Sequence, residues 1–159
     1  MGFQLTTNYK RIWFPKGKKP KGAFFWSNKK PITFGALTSS HKFYYEFYAA
    51  QNSMTFLSFL SCLFDWLDSN KKYVLILDNA GWHKTQVVRN FINKYPNIKV
   101  EYIPPYSPEL NPIETCWKVS KNQVTKSQYF SSIEKLQEEL EDFWCKHKFM
   151  QNFIGYLCR

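Results

Sequence analysis

The sequence predicts a mixed α/β domain, and three observations carry that prediction. Two aromatic, β-branched segments, "PITFGAL" and "KFYYEFYAA", read as an antiparallel pair of strands. A continuous apolar run, "YVLILD", reads as an interior parallel strand, because a strand covered on both faces loses its polar alternation. Helical periodicities separate and follow the later strands. Strand, helix, strand, helix after an antiparallel pair is a mixed α/β layout.

The elements follow in order. Residues 1–30 are basic and turn-rich, with "KGKKPK" from Lys16 to Lys21 flanked by Trp13 and Trp26. After the two aromatic strands, Ser53 can cap a helix running to about Asn70. Its Phe56, Leu57, Phe59, Leu60, Leu63, Phe64 and Leu67 cover most of the circumference, as in a helix buried against a sheet. "YVLILD" comes next, and Val87, Val88, Phe91, Ile92 and Tyr95 then recur at helical spacing. "IKVEYIP" is a further strand, ended by Pro104 and Pro105. Asn111, Pro112 and Glu114 open another helix, and Ser131 with Glu134 makes a capping box for a last one. The core face of that helix is Ile133, Leu136, Leu140, Phe143 and Trp144.

Composition narrows the function classes. The 159 residues suit one domain, and 44% hydrophobic with 19% aromatic content favours a folded chain. A formal charge of +10 points to a polyanionic partner, nucleic acid before membrane, although scattered solvated lysines give the same total. Cys62, Cys116, Cys145 and Cys158 show no CxxC spacing, which argues against a zinc site or a disulfide framework and fits a reducing cytosol. The N-terminus lacks the apolar core of a signal peptide. Met54 to Leu67 is too short to span a bilayer and contains Asp65. The expectation is a cytoplasmic, nucleoid-associated protein with no membrane partner.

The chemistry rests on two carboxylates. Functional side chains in parallel sheets gather beyond the carboxyl ends of adjacent strands. Asp78 ends one strand, and Glu114 lies past the next, in the first turn of a helix after "PPYSPELNP". Each also has a structural reading. Asp78 before Asn79 is equally an Asx turn, and Glu114 three residues after Asn111 is equally the acid of a capping box. Together, on a basic chain, they match divalent-metal phosphoryl transfer, where hard cations take few carboxylates and keep room for phosphate oxygens. Lys118 and Lys121 share the helical face of Glu114 and suit phosphate contact, or simply a solvated face.

"LILDNAGWHK" followed by "VEYIPPYSPELNPIETCWKVSK" resembles the catalytic region of DDE transposases of the mariner superfamily, in its bacterial and archaeal insertion-sequence branch. "RIWFPKGKKP" and "ITFGAL" extend the resemblance over nearly the whole chain. It implies a ribonuclease-H-like fold, two Mg²⁺ or Mn²⁺ ions, and hydrolysis then strand transfer at transposon ends, with a dimer as the working form. Carried over, Asp78 is the second metal-binding acid and Glu114 the third, and Lys121 matches a basic position close to DNA. Asn79 and His83 match the strand-end pattern without an assigned role. A lone histidine is more often a structural hydrogen-bonding group than a base.

The departure lies at the start. The family's first catalytic aspartate ends its first strand in a pattern like Asp-Glu-x-Gly-Phe, and "MGF" begins at the x. The resemblance therefore implies that residues 1–159 form a partial catalytic domain. It would lack the first acid, the central strand that bears it, and the N-terminal helix-turn-helix region. Unpaired buried backbone groups cost about 1–3 kcal/mol each, against about 5–15 kcal/mol of total stability. So either the sheet recruits the N-terminal residues or another chain, or the polypeptide is a fragment; the fragment reading is favoured. Two other functions compete with the transposase core. One is a non-catalytic DNA-binding protein using Lys16, Lys18, Lys19, Lys21, Lys29 and Lys30 as phosphate contacts. The other is a different ribonuclease-H-like nuclease.

Overall fold

The computed structural model describes residues 1–3, 5, 16–17, 30–126 and 128–150. Strands β1 (Ile32–Leu37) and β2 (Phe43–Tyr48) form an antiparallel ladder pairing Ile32 with Tyr48 and Leu37 with Phe43. His41 turns the connection with a left-handed φ of 63°, its N–H donating to the Thr38 carbonyl. Strands β3 (Tyr73–Leu77) and β4 (Ile98–Tyr102) form a parallel ladder with Leu75 opposite Val100. Among the described residues these are two separate two-stranded sheets. The mixed pairing is the one the sequence predicts.

The first residues join the first ladder. Gly2 bridges Ile32 in the antiparallel sense. Thr33 N–H donates to the Met1 carbonyl at 2.7 Å, and the Met1 ammonium donates to the Thr33 carbonyl at 2.7 Å. Phe3 N–H donates to the Pro31 carbonyl. Residues 1–3 thus lie along the edge of β1 that β2 leaves free. Antiparallel ladders direct alternate residues to alternate edges, so Thr33, Gly35 and Leu37 present backbone groups on this side. Among the described residues, Met1 pairs with Thr33 alone of the three.

Helices cover the two faces unequally. Helices α1 (Ser53–Trp66) and α2 (Gln86–Ile92) pack a cluster of Phe56, Phe59, Leu60, Leu63 and Val88 against Phe34 of β1 and against Leu75 and Val100. That layer bridges both ladders. Helices α3 (Pro112–Ser120) and α4 (Ile133–Lys146) build the other layer, where Phe3, Trp117, Leu136, Leu140 and Trp144 meet Phe43, Tyr45 and Phe47. Inside it the Trp144 indole N–H donates to Ser120 Oγ, which donates to the Cys116 carbonyl, both at 2.8 Å. The buried polar atoms of α3 and α4 are thereby satisfied by one another.

The second layer stops short of β3. Val74 is 59% exposed and Ile76 36%. The apolar run of this strand predicts burial on both faces, but only the side bearing Leu75 and Leu77 is covered, because α3 and α4 sit over β1 and β2.

Two helix starts also shift by one residue. Asn52, not Ser53, caps α1: its side chain accepts from the Met54 and Thr55 N–H groups, and Thr55 Oγ1 accepts from Asn52 N–H. The helix ends at Trp66 rather than near Asn70. Ser132, not Ser131, caps α4, accepting from Lys135 N–H at 3.3 Å. The α2 helix ends at Ile92, and Tyr95 packs beyond it on Phe64. No helix among the described residues is long and apolar enough to cross a membrane.

Candidate active site

Asp78 follows directly on β3, in the alternation of Val74 and Ile76, which faces the α3 side. Its Oδ1 accepts the Ala80 N–H at 3.0 Å, so the Asx turn that the sequence allowed does form. The same oxygen lies 2.7 Å from Nδ1 of His83. Oδ2 is engaged by no protein group among the described residues, so the turn leaves half of the carboxylate available. The His83 hydrogen bond, ahead of partial burial that opposes it, and the Ala80 N–H hold the Asp78 carboxyl below its ordinary pKa. An ionised oxygen donor is thus present at neutral pH.

The sequence reading favours a structural hydrogen bond for His83 without naming its partner, and the structure supplies it in Asp78. His83 is buried in a short 3₁₀ turn, Gly81–Lys84, with ring centroids 4.3 Å from Phe56 and 3.9 Å from Trp82. Packing of that ring fixes the nitrogen that holds Asp78. Asn79 ties the strand ends together: its Nδ2 donates to the Ile103 carbonyl and its Oδ1 accepts from Lys84 Nζ. The Lys84 ammonium in turn lies 4.9 Å above the Tyr102 ring.

Glu114 sits in the first turn of α3, whose N-cap is Asn111 with Pro112 next. Asn111 Oδ1 accepts from Ile113 N–H at 3.4 Å, while its own N–H donates to the Pro108 carbonyl. A capping box needs that N–H for the acid. Pro108 takes it, so Glu114 is not the closing member of a box.

One atom shows how the charges meet. Burial pushes the Met1 ammonium below its ordinary pKa; Glu114 and Asp78 oppose that shift, and Lys121 adds to it. Asp78, Glu114 and Lys121 therefore all act on the Met1 nitrogen. Lys121 stands at the C-cap of α3, where the helix widens into a π turn, Lys121–Thr125. Lys118 is exposed on α3, and Lys16 is exposed in a turn. Lys18, Lys19 and Lys21, like Lys29, Trp13 and Trp26, lie outside the described residues. Among the described residues no group of three His, Cys, Asp or Glu side chains could hold a metal ion.

Residues 1–137 match the family model described as DDE superfamily endonuclease. The chain belongs to that family. The chain is 35% identical over 81 residues to the uncharacterized protein y4pE/y4sA of Sinorhizobium fredii (strain NBRC 101917 / NGR234), covering 50% of its own length and 56% of that protein. It is 29% identical over 94 residues to the insertion element IS630 uncharacterized 39 kDa protein of Shigella sonnei, covering 59% of itself and 27% of that protein. It therefore spans about half or less of the curated relatives it matches.

Among solved structures, the Mos1 strand transfer complex aligns with a TM-score of 0.78 at 19% identity, covering 99% of this chain and 48% of that one. The catalytic domain of Mos1 mariner transposase aligns at 0.68 and 23% identity, covering 86% and 72%. The ribonuclease-H-like fold implied by the resemblance is borne out, and the DDE part of the resemblance agrees with the family model.

Proposed function

We propose that this chain is the catalytic-core portion of an insertion-sequence transposase, acting on DNA through a divalent-metal site built on Asp78 and Glu114. The observation that carries the reading is the Asp78 carboxylate just past the end of β3: His83 and the Ala80 N–H hold it ionised through Oδ1, and Oδ2 is unengaged among the described residues. Ionised carboxylates with a free oxygen fit Mg²⁺ or Mn²⁺, which keep coordination positions for phosphate and water. When bound, a pair of such ions activates the attacking oxygen and stabilises the leaving one. Asp78 presents Oδ2 while His83 orients it, and Glu114 presents its carboxylate from the first turn of α3. Lys121 and Lys118 meet phosphate oxygens along the same helix. Mos1 structures described as a paired end complex with Mn and as a catalytic domain with Mg support the choice of metals and of DNA, and the paired ends support a homodimer.

A third carboxylate completes the set on this reading, and register suggests where. Continuing the Gly2–Ile32 pairing upstream places the second residue before Met1 opposite Gly35, on the α3 face. Such a strand would pair with the backbone groups that Gly35 and Leu37 present on this edge. We infer that it supplies the acid, from residues joined before Met1 or from a second chain.

The test extends the chain at Met1 with a short designed strand bearing Asp at that second position, and a control bearing Asn. Docking is read as slowed amide exchange at Gly35 and Leu37. The Asp version should nick supercoiled DNA with Mg²⁺, the Asn version should not, and Asp78→Asn should abolish nicking. Nicking that survives Asp78→Asn rejects the assignment.

A further inference from the structure

Tyr106 is fully exposed, at 101% of its reference area, and holds a left-handed φ of 58°. A non-glycine residue adopts that conformation at a steric cost. His41 has the same sign of φ, but there it closes the β1–β2 connection. Tyr106 closes no hairpin; it stands on the loop between β4 and α3. Its flanks are stiff. Ser107 Oγ donates to the Pro105 carbonyl, Leu110 N–H to Ser107, and Asn111 N–H to Pro108, with Pro104, Pro105 and Pro108 fixing further torsions. The ring is therefore projected outward by a built loop.

Other exposed aromatics among the described residues have partners. Trp66 leans on Tyr44 with centroids 5.1 Å apart, and Tyr102 lies beneath Lys84. Tyr106 has neither kind of contact among the described residues. Its loop is the segment that carries the chain from the β4 end, beside Asp78, to the helix whose first turn holds Glu114. At the start of that segment the Lys84 ammonium lies 4.9 Å above the Tyr102 ring. An aromatic face in water, on a loop that joins the two carboxylate-bearing elements, suits an unpaired nucleobase, which stacks without regard to sequence. A paired base inside a duplex offers no free face.

We propose that Tyr106 is a positioning residue that stacks on an unpaired base beside the phosphate held at Asp78 and Glu114. The inference rests on the DNA reading given above and adds the state of the DNA: locally unpaired at the site.

The test uses the full chain and fluorescence anisotropy with three DNAs: a blunt duplex, the same duplex with a short single-stranded overhang, and that overhang made abasic. Wild type should favour the based overhang over the other two. Tyr106→Ala should weaken overhang binding by about 5- to 100-fold and leave the blunt duplex unchanged, while Tyr106→Trp keeps the preference. Tyr106→Gly separates ring from backbone: relief of the left-handed strain should raise the melting temperature, yet overhang preference should be lost as in Tyr106→Ala. Equal overhang binding by Tyr106→Ala and wild type overturns the proposal, as does an abasic overhang bound as well as the based one. Loss on all three DNAs alike also overturns it, since that marks a backbone contact. If the wild type binds none of them, the DNA reading falls, and stacking falls with it.

Discussion

His83 Nδ1 lies 2.7 Å from Asp78 Oδ1, and the imidazole that makes this contact packs against both Phe56 and Trp82. The orientation of an acid at a strand end is thus set by packing on α1. His83→Ala should cost about 2 kcal/mol through the lost ring volume and weaken Mn²⁺ binding by about tenfold as Asp78 loses its orienting partner. Urea denaturation and Mn²⁺ titration read the two effects. Unchanged metal affinity alongside lower stability would show that the contact is structural only.

Gly35 is where β1 meets α3. A Cβ there would come within 2.6 Å of Trp117 Cη2 and 2.9 Å of Cζ2. Trp117 is buried and packs edge-on against Phe3 and Phe43, so it has little room to retreat. Gly35→Ala should therefore cost about 1–3 kcal/mol. Adding Trp117→Phe should recover part of that loss, a coupling read from a double-mutant cycle of denaturation midpoints.

The aromatic face of β2 sets an alkaline limit. Burial, helped by Glu141, raises the Tyr45 phenol to about 12 from an ordinary 10.0. Folding raises this pKa, so the stabilisation is fully present below pH 10 and is lost as pH climbs through the folded value. Between about pH 10 and 12, Tyr45→Phe should lose stability less steeply than wild type. Parallel curves in that window would contradict the burial-driven shift.

What the sequence made legible was local. Asp78 and Glu114 stand at the strand end and helix start that apolar runs, prolines and Asn111 mark out. Cap residues were uncertain by one position, because Asn52 and Ser53, or Ser131 and Ser132, offer similar hydrogen bonds, and only the extended backbone of Asn52 and Ser132 decides. The role of His83 needed the distant ring of Phe56. The bare face at Val74 and Ile76 needed the placement of α3 and α4 over the other ladder. No spacing along the chain encodes either relationship.

The measurement that bears most directly on the account is paramagnetic broadening of backbone amide signals by substoichiometric Mn²⁺. Amides near Asp78 and Glu114 should broaden together, along with Thr33 beside Met1, and both sets should recover in Asp78→Asn and in Glu114→Gln. Broadening confined to one carboxylate, or unaltered by either substitution, would contradict a shared metal site.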